Sequence, residues 1–245
     1  MKIVAVIPAR YNSSRLPGKP LVDLCGKSLI RRVYENVNQC NYIDTIIVAT
    51  DDNRIYQEVI GFDGKCQLTD PNLPSGTDRV ATVVENIDCD IVVNVQGDEP
   101  FLDPEVIDKA IQALIDNPGY MVSSIGKVGM SQAEIGSPNT VKVIINKQNE
   151  AIYFSRYGIP YIRDIQNSKI SSPALKHIGL YVFRKHYLLE FTKTESSVLE
   201  QLEKLEQLRI IENCEKIYIA KTYKNCFGID TPEDLIKARK WLQDE

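Results

Sequence analysis

The sequence predicts an α/β protein with a mostly parallel, Rossmann-type sheet, helices on both faces and a smaller mixed lobe in its second half. Residues 3–7 form an uninterrupted apolar run that ends at Pro8, which is typical of a parallel strand buried on both faces. Residues 91–95 repeat this pattern, and segments with helical spacing lie between the apolar runs. Such an alternation of strands and helices indicates a doubly wound α/β domain.

The remaining elements of the first half follow from the same signals. We predict helices at 27–37, 78–87 and 104–115, and a further strand at 45–49. The last of these helices has the clearest start, because Asp103 is a suitable N-cap and Pro104 fits the first helical position.

The second half mixes strands and helices less regularly. We predict strands at 141–145, 151–154, 177–183 and 216–220, an amphipathic helix at 199–211, and a helix at 231–241. Thr231 is the expected N-cap of that last helix, and Pro232 its first residue. Residues 162–173 are polar and are expected to form a mobile loop. Since no convincing linker divides the chain, we expect residues 1–245 to form a single domain.

Composition narrows the classes of function. The net charge is −4 and no basic run occurs, which argues against a nucleic-acid surface. The apolar start is short and is broken by Pro8 and Arg10, so we expect no signal peptide there. No apolar stretch reaches the ~20 residues of a membrane span. The 6 cysteines form no C-x-x-C pair, which favours reduced thiols and a cytoplasmic protein without a membrane partner.

A basic loop follows the first predicted strand. Residues 7–21 read IPARYNSSRLPGKPL and contain Arg10, Arg15 and Lys19. Ligands of open α/β sheets bind beyond the carboxyl ends of the strands, and three cations there suit a triphosphate. Prolines in the segment indicate a shaped loop, while a solvated basic loop is the alternative.

Two nucleotide-binding motifs are incomplete. Gly26-Lys27-Ser28 looks like the end of a P-loop, but Leu21 stands where the first glycine is needed. No G-x-G-x-x-G follows the first strand, which weakens a dinucleotide-binding interpretation.

An ordered set of segments resembles the CMP-KDO synthetases, which are 3-deoxy-manno-octulosonate (KDO) cytidylyltransferases. The set comprises IPARYNSSRLPGKPL, ATDD (49–52), PSGTDR (74–79), VNVQGDEP (93–100), YFSR (153–156), KHIGLY (176–181), LEQLEKLEQLR (199–209) and GIDTPEDL (228–235). The first segment alone is shared with other sugar nucleotidyltransferases, whereas the whole set in order is specific. The resemblance implies a nucleotide-diphospho-sugar-transferase-like fold, with a nucleotide-binding part mainly in 1–125 and a sugar-binding and dimerisation part mainly in 126–215.

Two aspartates are the candidate metal ligands. Asp98 follows the strand at 91–95, at the end where a hard cation such as Mg²⁺ can bind a carboxylate and phosphate oxygens together. Asp88 and Asp90 imitate a D-x-D motif at the other end of that strand, so we interpret them as surface residues. Asp230 alone suggests a helix cap, and the resemblance implies instead that it is the second Mg²⁺ ligand.

The resemblance also implies the reaction and the nucleotide-binding residues. CMP would pass from CTP to a sugar acid, with Lys19, Arg10, Asp98 and Asp230 as catalytic residues. The residues implied to hold the nucleotide are Ala9, Arg10, Arg15, Lys19, Ser75 and Arg79. For Arg79, a cation on a helix surface is the alternative interpretation.

The sugar-acid site is implied in the same way. Its residues would be Gln96, Arg156, His177 and Glu206, with KDO as the substrate and lipopolysaccharide synthesis as the pathway. The family further implies a homodimer. Two alternatives stay open: the same chemistry on 8-amino-KDO, and a non-catalytic nucleotide-binding protein on the same fold. CMP-sialic acid synthesis is a weaker alternative.

Overall fold

The computed structural model describes residues 1–12, 16–163 and 173–244. Contacts divide the chain into two compact units. The first unit contains Met1–Asp108, Val182–Thr192 and Asn225–Glu245, and the second contains Lys109–Tyr181 and Lys193–Lys224. Within the described ranges, no helix is both long enough and apolar enough to cross a membrane.

Strands and helices alternate as the sequence predicts. The strands are β1 (Ile3–Ala9), β2 (Thr45–Thr50), β3 (Cys66–Leu68), β4 (Ile91–Asn94), β5 (Val122–Lys127), β6 (Lys142–Ile145), β7 (Ala151–Ser155), β8 (Leu175–Arg184) and β9 (Ile217–Thr222). The helices are α1 (Leu29–Val37), α2 (Asn53–Gly61), α3 (Gly76–Val84), α4 (Pro104–Asp116), α5 (Gln132–Gly136), α6 (Lys185–Phe191), α7 (Val198–Glu203), α8 (Gln207–Glu212) and α9 (Pro232–Asp244). The predicted α/β class with a mostly parallel sheet is confirmed.

In the first unit, four parallel strands run in the order β3-β2-β1-β4. Strand β1 lies between two neighbours, with Ile7 beside Val48 of β2 and Val6 beside Asn94 of β4. Because it is covered on both faces, Val4 to Ile7 are fully buried, which explains its uninterrupted apolar sequence. The carboxyl ends of these strands share one edge of the sheet.

The second unit combines parallel and antiparallel pairs, as expected for a mixed lobe. Strand β5 pairs in parallel with β9, whereas β6 is antiparallel to both β7 and β8. The β6–β7 hairpin places Lys142 opposite Ser155. This register brings the beginning of β6 next to the YFSR segment.

The prediction of one continuous helix at 199–211 is wrong. The segment forms α7 and α8, separated at Lys204, whose φ of 53° is left-handed. Its leucines are therefore not one stripe, since Leu202 is 75% exposed whereas Leu205 and Leu208 are buried. A single straight helix is excluded because a non-glycine residue in this conformation interrupts the hydrogen-bond ladder.

Several short elements were not predicted from the sequence. They are α2, β3, β5, α5 and α6. Helix α2 has a recognisable start, because the Asp52 side chain accepts a hydrogen bond from the Arg54 amide. Of the expected mobile loop at 162–173, residues 164–172 lie outside the described residues.

Candidate functional site

The carboxyl edge of the first unit's sheet is tightly packed at the end of β1. A Cβ atom at Gly97 would lie 2.8 Å from the carbonyl oxygen of Pro8, so only glycine permits this approach. The loop that carries Gln96 and Asp98 is therefore held directly against the start of the basic loop. Ala9, the last residue of β1, is buried beside it.

Lys19 joins the two predicted metal ligands. Its ammonium nitrogen lies 2.6 Å from a carboxylate oxygen of Asp98 and 2.9 Å from one of Asp230. Gly18 precedes it with a φ of 69°, and the Gly18 amide donates to the Tyr11 carbonyl. This left-handed turn directs Lys19 into a short 3₁₀ turn at Lys19–Leu21.

A backbone hydrogen bond places Asp230 beside Asp98. The amide of Ile229 donates to the carbonyl of Asp98 at 2.8 Å, and a Cβ at Gly228 would come within 3.0 Å of the Glu99 carboxylate. The predicted N-cap is confirmed, because the Thr231 hydroxyl accepts from the Asp234 amide. Asp230 therefore does not cap α9 and presents its carboxylate to Lys19.

The ammonium of Lys19 is stabilised by its two partners. Only 13% of its side chain is exposed, and this burial alone would favour the neutral amine. The charges and hydrogen bonds of Asp98, followed by those of Asp230, outweigh burial and raise the pKa of Lys19. The lysine is therefore positively charged at neutral pH.

Asp98 and Asp230 fit a Mg²⁺ ion. No cluster of three or more histidine, cysteine or acidic side chains in the described part of the chain is suited to hold a metal. Mg²⁺ is often held by one or two carboxylates, with substrate phosphates and water as its other ligands. Two carboxylates bound to the same lysine nitrogen match that donor set.

Arg79 is buried and does not lie on the helix surface. It has no exposed side-chain area, and it donates to the Thr69 hydroxyl and, at 3.1 Å, to Asp51. Burial lowers its pKa; Asp51 opposes this effect, and the nearby charge of Arg10 adds to it. The alternative of a surface cation is therefore wrong, because the guanidinium is buried and binds Thr69 and Asp51.

The other predicted nucleotide residues lie at the same edge. Arg10 donates to the Leu73 carbonyl, in the loop that leads to α3. Ser75 caps α3 by accepting from the Asp78 amide at 3.1 Å, and its hydroxyl donates to the Asp78 carboxylate. Gln96, which was predicted for the sugar-acid site, donates to Asn94 at 3.2 Å. Arg15 lies outside the described residues.

In the second unit, His177 is buried among aromatic side chains. Its Nε2 lies 2.9 Å from the Ser124 hydroxyl, and its ring contacts Phe154 and Tyr181. Burial lowers the pKa of His177 to about 3, so the imidazole is neutral at physiological pH. Glu206 pairs with Arg209 at 3.5 Å, and its charge adds to the burial that raises the pKa of Tyr181.

Arg156 is engaged by the backbone of the second unit. Its guanidinium donates to the carbonyls of Glu203 at 2.8 Å, Pro138 at 3.1 Å and Lys204 at 3.3 Å. Its amide donates to the Glu203 carboxylate at 2.9 Å. Sequence reasoning missed Glu203, Lys142, Ser124 and Asp51, since an isolated polar residue in a strand or helix carries no signal of its partner.

Comparisons with known proteins identify the family of the chain. The cytidylyltransferase family model matches residues 4–217. The 3-deoxy-manno-octulosonate cytidylyltransferase of Syntrophotalea carbinolica is 45% identical, with 99% of each chain covered. The corresponding protein of Pelobacter propionicus is 43% identical, over 98% of this chain and 97% of that one.

Solved structures extend the likeness to the fold. A structure of CMP:2-keto-3-deoxy-manno-octonic acid synthetase complexed with CTP has a TM-score of 0.94 and 40% sequence identity, and covers 100% of this chain and 99% of that chain. Together with the parallel sheet, these matches define a nucleotidyltransferase of the α/β class. The chain belongs to the cytidylyltransferase family. Its matches to 3-deoxy-manno-octulosonate cytidylyltransferases span nearly the whole sequence, which confirms the resemblance found in the motifs.

Proposed function

We propose that this protein transfers CMP from CTP to KDO, which gives CMP-KDO and pyrophosphate. One structural observation carries the proposal: Lys19 holds Asp98 and Asp230 together at the carboxyl edge of the sheet. These carboxylates come from distant segments and meet one ammonium at the edge where such folds bind ligands. The 45% identity to a 3-deoxy-manno-octulosonate cytidylyltransferase supports the choice of substrates.

The reaction requires positioning and charge stabilisation rather than a covalent enzyme intermediate. The oxygen of the acceptor's anomeric hydroxyl would bond to the α-phosphorus of CTP and release its proton to water, while the bond from that phosphorus to the bridging oxygen breaks and pyrophosphate leaves. The ammonium of Lys19 would neutralise phosphate charge as it develops, with Arg10 and Arg15 as further phosphate ligands. Asp98 and Asp230 would hold Mg²⁺, which supplies Lewis-acid stabilisation of the phosphates when bound.

The acceptor's chemistry suits the predicted residues of the second unit. KDO has a carboxylate and many hydroxyls, so its site needs a cation and neutral polar groups. Arg156 offers the cation, because only three of its five N–H groups bind described carbonyls. We propose that the neutral imidazole of His177 and the carboxylate of Glu206 contribute contacts to hydroxyls.

The decisive experiment measures pyrophosphate release with CTP and Mg²⁺ in the presence of KDO, 8-amino-KDO or sialic acid. Release that is fastest with KDO supports the proposal. A preference for 8-amino-KDO keeps the chemistry and changes the substrate, and a preference for sialic acid would replace it. No release with any acceptor, despite CTP binding in calorimetry, would identify a non-catalytic nucleotide-binding protein.

We further propose a homodimer in the cytoplasm, acting in lipopolysaccharide synthesis. The 6 cysteines are all free, which suits a reducing compartment. Helix α7 exposes Val198 and Leu202, and large exposed apolar side chains of this kind are suited to a subunit contact. Leu202→Glu should then shift the protein to monomers in sedimentation velocity, whereas Ile236→Glu, on exposed α9, should not. A monomeric wild type would refute the dimer.

A further inference from the structure

Lys142 is a fully buried lysine at the start of β6. Its ammonium donates to the carbonyls of Ser137 at 2.9 Å, Thr140 at 2.7 Å and Arg156 at 2.5 Å. Burial of an ammonium is costly, and three carbonyl acceptors offset part of that cost. A buried charge is therefore used here to join the turn that precedes β6 to the residue after β7.

Arg156 is held at both of its backbone groups. The Lys142 ammonium binds the Arg156 carbonyl, while the Arg156 amide donates to the Glu203 carboxylate. The second oxygen of that carboxylate accepts from the Ser155 hydroxyl at 2.6 Å. The peptide that carries Arg156 is thus fixed from two sides, by a buried cation on one strand and by an acid on α7.

The side chain of Arg156 is oriented by the same groups. It donates to Pro138, within the turn that Lys142 holds, and to Glu203 and Lys204, at the junction of α7 and α8. One N–H on each terminal nitrogen is not used by these bonds, and Arg156 lines a cleft of about 1390 Å³. A carboxylate that enters the cleft can therefore accept hydrogen bonds from the Arg156 guanidinium.

We propose that Lys142 and Glu203 are positioning residues for the acceptor substrate, because they fix Arg156 in the orientation in which it binds the sugar acid's carboxylate. This inference rests on the proposed function. It also explains why a lysine, and not an apolar residue, occupies a fully buried position in β6. Lys142 is fully buried and acts through Arg156, and Glu203 acts through its hydrogen bonds to Arg156.

Lys142→Met tests the proposal, since methionine has a similar length and lacks the ammonium. The Michaelis constant for KDO should rise about tenfold, because misplacement of a binding group by even ~1 Å weakens an oriented contact strongly. The Michaelis constant for CTP should stay within about twofold, since the first unit keeps its residues. Lys147→Met is the matched control, because Lys147 is exposed in the turn of the same hairpin.

A second readout does not depend on turnover. Hydrogen exchange of the backbone amides at 155–157 and 203–206 should accelerate in Lys142→Met and not in Lys147→Met. If exchange accelerates but the wild type releases no pyrophosphate with any acceptor, Lys142 fixes the Arg156 segment but the proposed function fails, and with it the role for an acceptor. If exchange is unchanged, or the two Michaelis constants rise equally, Lys142 has only a general structural role and the inference is refuted.

A milder variant covers the case in which Lys142→Met does not fold. Ser155→Ala removes one hydrogen bond to Glu203 and leaves the buried ammonium in place. The Michaelis constant for KDO should then rise about threefold with that for CTP unchanged. An unchanged constant for KDO in a folded Ser155→Ala protein would overturn the part of the inference that concerns Glu203.

Discussion

The ammonium of Lys19 lies 2.6 Å from a carboxylate oxygen of Asp98, and the same nitrogen binds Asp230. The lysine therefore supplies positive charge to both carboxylates. Any divalent cation that binds these aspartates has to compete with this ammonium. The ion pairs of Lys19 should therefore lower the affinity of the two aspartates for a metal ion, and this effect can be measured.

We expect Lys19→Met to tighten the binding of Mn²⁺ to the nucleotide-free protein about tenfold, which corresponds to ~1.4 kcal/mol. The reason is that the variant removes the competing cation and leaves both carboxylates. Electron paramagnetic resonance of Mn²⁺ measures this affinity directly. Lys27→Met, which breaks the exposed pair with Glu35, should leave it unchanged. Weaker binding of Mn²⁺ to Lys19→Met would contradict the competition.

Asp98→Asn should lower the turnover number about 100-fold or more, in the range seen when one electrostatic group of an active site is lost. Its midpoint of thermal unfolding should stay close to that of the wild type, because Asp98 is partly exposed. Pyrophosphate release measures turnover, and Asp88→Asn is the control at an exposed acid before β4. Near-normal turnover with an ordinary Mg²⁺ requirement would remove Asp98 from the mechanism.

Arg79→Met should destabilise the folded protein by about 3 kcal/mol, since it leaves Asp51 without its buried cationic partner. Urea unfolding at pH 7 measures the free energy. Arg54→Met breaks the exposed pair with Asp52 and should cost less than about 1 kcal/mol. Equal effects of the two variants would mean that burial of Arg79 does not decide its contribution.

His177 should make the protein less stable in acid. Its pKa in the folded state is about 3, below its usual 6.5, so the unfolded chain binds the proton first as pH falls. Stability from this group is complete above pH 6.5 and decreases towards pH 3, with ~2 kcal/mol lost between pH 7 and pH 5.

The corresponding measurement compares the free energy of urea unfolding at pH 7 and pH 5 in three proteins. The difference should be smaller in His177→Gln than in the wild type by the amount given above. His186→Gln, at an exposed position, should keep the wild-type difference. A pH dependence that is identical in all three would show that His177 does not titrate between the folded and unfolded states.

The parts of the fold that could be predicted are those whose sequence pattern lies within a single strand or helix. Strands β1 and β4 are buried on both faces, and their apolar runs show this directly. The break between α7 and α8 was missed because it depends on Arg156, which is distant in sequence and binds the carbonyls of Glu203 and Lys204. The helix propensity of residues 199–211 favours one continuous helix, and the tertiary hydrogen bonds of Arg156 override it.

The candidate site likewise contains residues whose positions could be predicted from the sequence and residues whose positions could not. The position of Lys19 and Asp98 after strands follows from topology alone, and the structure joins them by an ion pair. The burial of Arg79 was not predictable, because Asp51 and Thr69 approach it only in the folded sheet. Asp230 was identified through its motif, since a carboxylate before a helix is by itself indistinguishable from a cap.

The hydrogen bond from the Ile229 amide to the Asp98 carbonyl has a consequence for synthesis of the protein on the ribosome. Asp230 is added to the growing chain long after Lys19 and Asp98. The segment around it also packs late, because Ile229 and Leu235 share a hydrophobic cluster with Leu24 and Leu29. A nascent chain that already contains the whole parallel sheet therefore still lacks its second carboxylate. The protein gains its complete acidic pair only when translation has passed residue 230.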